Sequence, residues 1–237
     1  MSNRESLIAA ITESHRLAVE SKKEYALYGN KLVYVNNPLP DDFDLQYVLS
    51  TVEDRVPRLF AHEVDYVMIG QNEEMNAREI NAMFKDGAIY VTNDQKNEED
   101  MLDDIVHEIA HSVEKMFGAE IYGDSEIEVE FLGKRKRLLD LLKAEYGEDI
   151  RGMAKKFLEA DYSKEFDEFL YKAIGYPKLT MMTLGLFVSP YGITSLREYF
   201  ANGFEEYFLG DIGYVRKISP KVYLKINELI NSDTIES

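Results

Sequence analysis

The chain has 237 residues, is 45% hydrophobic and 30% charged, and carries a formal net charge of -17. That length and apolar content support a sizeable core without staples, and so acidic a balance excludes a general nucleic-acid binder, because phosphate repels it, while tolerating a basic protein partner. With no cysteine there is no disulfide, thiol nucleophile or thiolate-bound metal, so a metal site must draw on carboxylates and on His15, His62, His107 and His111.

Residues 1–30 are expected to form an N-terminal helical segment, with Leu7, Ile8, Ile11, Leu17 and Val19 on one face of a helix over 4–25. The apolar run Leu7–Ile11 is too short, and too closely flanked by acids, for a signal-peptide core. No stretch approaches the roughly 20 apolar residues of a membrane span. The expected location is therefore cytoplasmic, or secreted or virion-associated by a route not visible in the sequence. Lys31–Asn36 reads as a strand stopped by Asn37 and Pro38, Asp44–Glu53 as a helix closed before Pro57, and Val64–Gly70 as a core strand. Ala88–Thr92 is a further short strand, entered through Gly87.

A helix follows over Glu98–Phe117. Its first turn is acidic, which suits the positive end of the helix dipole. Leu102, Ile105, Val106, Ile109, Val113 and Met116 recur at helical spacing, and Gly118 is the expected stop. Asp124–Tyr171 is helical with breaks near Gly147 and Asp161, and Gly175 and Pro177 end the last of these helices. The basic run Lys134–Arg137 is expected to be a solvated helix face. Thr180–Ile193 reads as a loop or short hairpin, Ser195–Leu209 as a helix stopped at Gly210, and Pro220–Ile230 as a final helix. The fold class is α+β, mainly helical, with a small mixed sheet early in the chain.

Chemistry concentrates in His107-Glu108-Ile109-Ala110-His111, an HExxH motif within a predicted helix. Residues four apart share a helix face, so both imidazoles can reach one cation, and Glu108 projects beside them where it can take a proton from a bound water. With four histidines in the chain, roughly 0.01 chance matches are expected. The bland alternative is an exposed pair of histidines with a solvated glutamate. Against it, Ile105, Val106, Ile109, Ala110 and Val113 make the helix apolar on most sides, and buried polar groups need partners.

A catalytic zinc commonly has three protein ligands, so one more is required. Glu198 stands in an aromatic helix with Tyr199, Phe200, Phe204, Tyr207 and Phe208. Ser195-x-x-Glu198 is also a capping-box pattern, and periodicity leaves the two roles level. Glu205 and Glu206 are fallback ligands, and His15 and His62 lie in weakly patterned segments.

The HEIAH motif, with PYGITSLREYFANGFEEYF downstream and a short C-terminal helix, resembles the catalytic domain of anthrax lethal factor and the clostridial Pro-Pro endopeptidases. In that family a tyrosine and six further residues precede a glutamate that opens an E-[FY]-F-A-E-x-F helix, as Tyr191 precedes Glu198 here. The resemblance implies a zincin-like, gluzincin-like fold over 31–237 and one Zn2+ held by His107, His111 and Glu198. It also implies a Tyr191 hydroxyl that stabilises the oxyanion. It spans about half the chain. His111 and Glu198 lie further apart than the family suggests, so the helical stretch of about 119–178 reads as an insertion. The family's glutamate four residues after the ligand is Asn202 here, expected to lie behind a zinc histidine and orient it less strongly than a carboxylate.

The expected activity is that of a zinc endopeptidase acting on a peptide or protein substrate. Glu108 is the general base and Gly87–Thr92 the cleft edge on which substrate pairs. The other reading is a non-enzymatic structural or interaction protein, a virion component or toxin subunit, that keeps a zinc-binding zincin fold.

Overall fold

The computed structural model describes residues 25–236. The predicted helix over 4–25, and His15 with it, lies outside the described residues except for Tyr25, which opens the first strand. Five strands form one mixed sheet: β1 (Tyr25–Leu27), β2 (Lys31–Val35), β3 (Tyr66–Ile69), β4 (Ala82–Lys85) and β5 (Ala88–Val91). Their order is β1-β2-β3-β5-β4. The central strands β2, β3 and β5 are parallel, while β1 and β4 pair antiparallel at the two edges. Register aligns Val33, Val67 and Ile89 across the sheet, and all three side chains are buried. That row is the sheet's contribution to the core, because alternate residues of a strand share a face.

Two helices cover this face. Helix α1 (Leu45–Arg55) is capped by Asp44, whose carboxylate accepts from the Tyr47 N–H at 3.0 Å, and it buries Val48, Leu49 and Val52. The short α2 (Glu73–Arg78) leads into β4. Helix α3 (Glu98–Tyr122) starts at Asn97, whose side chain accepts from the Asp100 N–H at 2.8 Å, and lies against α1, β4 and β5. Then come α4 (Glu126–Tyr146), α5 (Lys164–Glu168), α6 (Tyr176–Thr183), α7 (Leu196–Leu209), α8 (Ile212–Ile218) and α9 (Pro220–Glu236). One continuous core runs from the sheet through α3 and α7 to α4 and α9. Helix α7 joins it through Phe200 and Phe204, the latter edge-on to Phe60 at 5.3 Å. At Gly203 the close approach of α9 leaves no room for a side chain, since an added Cβ would sit 2.7 Å from Val222 Cγ1.

Several expectations need correction. Ala88–Val91 is not an edge strand: β4 covers it, through a two-residue Asp86-Gly87 turn with both residues at positive φ, the geometry that matches hairpin twist. Gly118 does not stop the helix. Phe117 leaves helical geometry (φ -113°, ψ 22°), and the kinked chain continues to Gly123, burying Ile121 completely. Tertiary burial outweighs the cost of one glycine here. The basic run is only half solvated, because four consecutive helical residues span more than one face. Arg135 is 1% exposed, stacked 4.2 Å from the Phe166 ring, and Lys134 donates to Tyr199 Oη and to the Ile218 carbonyl. The helical stretch over 124–171 is regular only to Tyr146; beyond it come 3-10 turns at Gly147–Met153 and Lys156–Leu158, then α5 and a π-helical turn ended by Gly175. Pro177 ends nothing, since it lies in the first turn of α6, and no hairpin forms over 180–193. Among the described residues no helix is long and apolar enough to cross a membrane.

Candidate metal centre

His107 and His111 sit one turn apart on α3, in the stretch that faces both β4 and the first turn of α7. Their rings meet edge to face, centroids 5.0 Å apart. Both turn Nε2 toward Glu198. His107 Nε2 is 2.9 Å from Glu198 Oε2, and His111 Nε2 is 3.6 Å from Oε1. Two ligands at about 2.1 Å from a tetrahedral zinc stand about 3.4 Å apart, so these spacings bracket what the ion requires. One donor atom from each of the three residues lies within 4.8 Å of the others.

The capping role open to the Glu198 carboxylate is not taken up. Ser195 caps α7, but it does so by accepting from the Glu198 backbone N–H at 3.2 Å. The Glu198 carboxylate plays no part in the cap and is directed at the two imidazoles.

The outer ring nitrogens are held as well. His107 Nδ1 lies 3.2 Å from Glu205 Oε2, and His111 Nδ1 2.8 Å from Glu114 Oε2. Carboxylates thus face both nitrogens of each ring, Glu205 or Glu114 at Nδ1 and Glu198 at Nε2; with the proton on Nδ1, each Nε2 would be the nitrogen left to bind a cation. Burial opposes charge on His107, yet the bonds to Glu198 and Glu205 overcome it and lift its pKa to about 10. His111 rises to about 9 against the same burial, through Glu114 and Glu198. Burial would raise Glu198, but the two imidazoles pull it down to about 2. The site is thus built for positive charge, with donors of the type and spacing that zinc takes.

Glu108 faces the other way. It is 7% exposed, and its Oε2 accepts from the Phe84 N–H of β4 at 2.6 Å. Burial raises its pKa, and the neighbouring imidazoles only partly counter that. The Lys85–Ala88 turn pairing makes Ala82 and Phe84 the residues whose backbone groups point away from β5, toward the cleft. A cavity of about 510 Å³ runs between this strand and the triad.

Tyr191 lines the same cavity, is 37% exposed, and its ring centroid lies 6.2 Å from that of His107. Burial first, and then the Glu198 charge, push its phenol well above the ordinary range, so it stays a neutral donor. Asn202 does not touch a histidine. It is buried, accepts from the Ser189 hydroxyl and packs under Gly192, so it braces the turn that carries Tyr191. The orienting place expected of it is filled by Glu205, two turns beyond Glu198, and by Glu114, one turn beyond His111. Glu206 bonds the Asp211 N–H at 3.0 Å, and His62 is exposed beside Glu63; neither joins the site.

The cleft is electrically lopsided. One end carries Asp103, Asp104 and Glu205. Asp104 accepts from Gln95, which also reaches the Thr92 carbonyl, and the Thr92 N–H bonds Asn81, so this acidic end lies where β4 begins. The other end carries Arg197 and, beside Phe84, Lys115. Comparisons with protein-family models, with curated proteins and with solved structures find no match to the chain.

Proposed function

We propose that this chain is a zinc-dependent endopeptidase of zincin type, as its resemblance to the lethal factor and Pro-Pro endopeptidase group implies. The observation that supports the reading is the convergence of His107 Nε2, His111 Nε2 and the Glu198 carboxylate, with Glu108 beside them under the edge strand β4, where it accepts from the Phe84 N–H. His107, His111 and Glu198 would hold one zinc per chain, which would supply a Lewis acid for the scissile carbonyl and for the attacking water. Glu108 would take a proton from the attacking water and pass it to the leaving amine; burial raises its pKa above that of a solvated glutamate, which suits a general base. Tyr191 donates to the oxyanion as charge develops there.

The substrate is an extended peptide segment that pairs with β4 through the outward groups of Ala82 and the Phe84 carbonyl, the Phe84 N–H being held by Glu108. Antiparallel addition, the more stable pairing, places its C-terminal side over the start of β4, at the acidic end. A basic residue following the scissile bond suits that end, and a basic protein is the fitting partner.

The test is a peptide-library digest by zinc-loaded protein beside Glu108→Gln. The variant is expected to keep its fold and zinc while cleavage falls by about 10²–10⁴-fold. Stoichiometric zinc with no cleavage of any peptide would leave the non-enzymatic zinc-binding protein as the reading, and no zinc at all would end both.

A further inference from the structure

Glu114 lies three residues beyond His111 on α3, and its side chain is only 5% exposed. Its carboxylate accepts three hydrogen bonds. Oε2 takes one from His111 Nδ1 at 2.8 Å and one from Arg197 Nε at 3.0 Å, and Oε1 takes one from the Tyr122 hydroxyl. The donors come from both ligand-bearing helices, because Arg197 immediately precedes Glu198 in the first turn of α7. Tyr122 lies eight residues along α3, a rise of about 12 Å on a straight helix. The break at Phe117 bends the end of α3 so that this hydroxyl reaches back to Glu114.

A carboxylate so thoroughly withdrawn from water needs its charge matched and its oxygens occupied. Arg197 and Tyr122 would suffice for that. The bond to His111 does something further, since it fixes which imidazole nitrogen carries the proton and raises the basicity of the one that faces the cation. We propose that Glu114 is the positioning residue of the metal centre. It holds His111 with Nε2 inward and, through Arg197, anchors the turn that presents Glu198, while the kink at Phe117 brings in Tyr122 to close the clamp. This rests on the zinc reading above.

Glu114→Gln isolates the charge. The amide oxygen still accepts from His111 and Arg197, and the amide nitrogen faces a Tyr122 hydroxyl that can rotate to accept. The zinc dissociation constant, measured by chelator competition at a temperature where all proteins are folded, is expected to rise about 10–100-fold. Thermal stability of the zinc-free protein is the parallel readout, because a purely structural glutamate would lower it and leave zinc affinity alone. A zinc dissociation constant within about twofold of the unmodified protein would overturn the proposal. Should Glu114→Gln fail to fold, Arg197→Gln leaves Glu114 and His111 in place and is expected to weaken zinc binding by about tenfold, the low end of the range for such outer contacts; unchanged affinity would overturn the clamp. If the unmodified protein itself binds no zinc, the metal reading fails, and that outcome is distinct from either of these.

Discussion

Asp104 stands one turn before His107 at the acidic end of the cleft, and its charge is expected to cost the fold stability. Burial first, then the nearby Glu108 and Glu205 carboxylates, lift its pKa from 3.8 to about 6, against the opposing bond from Gln95 at 2.9 Å. Between those two values the folded chain keeps a proton that the unfolded chain has lost. Stability therefore falls as pH climbs through the window, and the whole cost is present above it. Two pKa units correspond to about 3 kcal/mol, and residual solvent screening lowers this to about 1–3 kcal/mol. Asp104→Asn removes the charge and keeps an oxygen for Gln95. Thermal melts of chelator-treated protein are expected to show the variant more stable by that amount at pH 7.5, a shift of several degrees, by about half as much at pH 5, and not at all below about pH 3.8. A destabilised variant, or a gain that ignores pH, would refute the reasoning. With zinc restored, the same variant should lose selectivity for peptides with lysine or arginine after the cut, because the strain at this end serves binding.

Glu198→Gln should stay folded by circular dichroism, since the helix cap uses only its backbone N–H, while zinc titration shows affinity collapsing. Were zinc affinity to hold, the ligand assignment would fall. Tyr191→Phe should retain zinc and substrate binding but lose about 3–4 kcal/mol of transition-state stabilisation, read as a drop in kcat. Gly87 has φ 83° and an added Cβ would sit 2.3 Å from Asp65 Oδ2, so Gly87→Ala should cost about 1–3 kcal/mol by urea melt and raise KM by displacing β4. An unchanged KM would argue against β4 as the substrate's partner strand.

The HExxH helix was legible because its signal is local. Two histidines four apart with apolar flanks need no knowledge of the rest of the chain. The reach to Glu198, across 87 positions, was carried by the family resemblance, since periodicity could not separate a ligand from a cap. The edge strand was missed although Asp86-Gly87 between apolar runs is a strong hairpin signal. Its four residues show no clean alternation of burial, while the equally short β5 beside it is more apolar and more fully buried. Glu114 and Glu205 share helical faces with His111 and Glu198, so their spacing was visible. What separates Glu205 from Asn202, also on that face, is the position of the Tyr191 turn above Asn202, and only folding brings that turn there. Arg135 and Lys134 were read as solvated because their partners, carbonyls at Lys156, Glu159 and Ile218, are remote in sequence.

The tight seat of Val222 on Gly203 also sets an order of events. During synthesis at about 5–20 residues per second, both histidines and Glu198 leave the ribosome before the α9 segment that backs the α7 surface at Gly203. Until Val222 arrives, α7 packs through Phe200 and Phe204 on Tyr122 and Phe60 but lacks its backing at Gly203. Glu198 is thus the last of the three to be fixed in place, and if the triad holds zinc as proposed, a newly made chain would acquire its cation only when its fold is nearly finished.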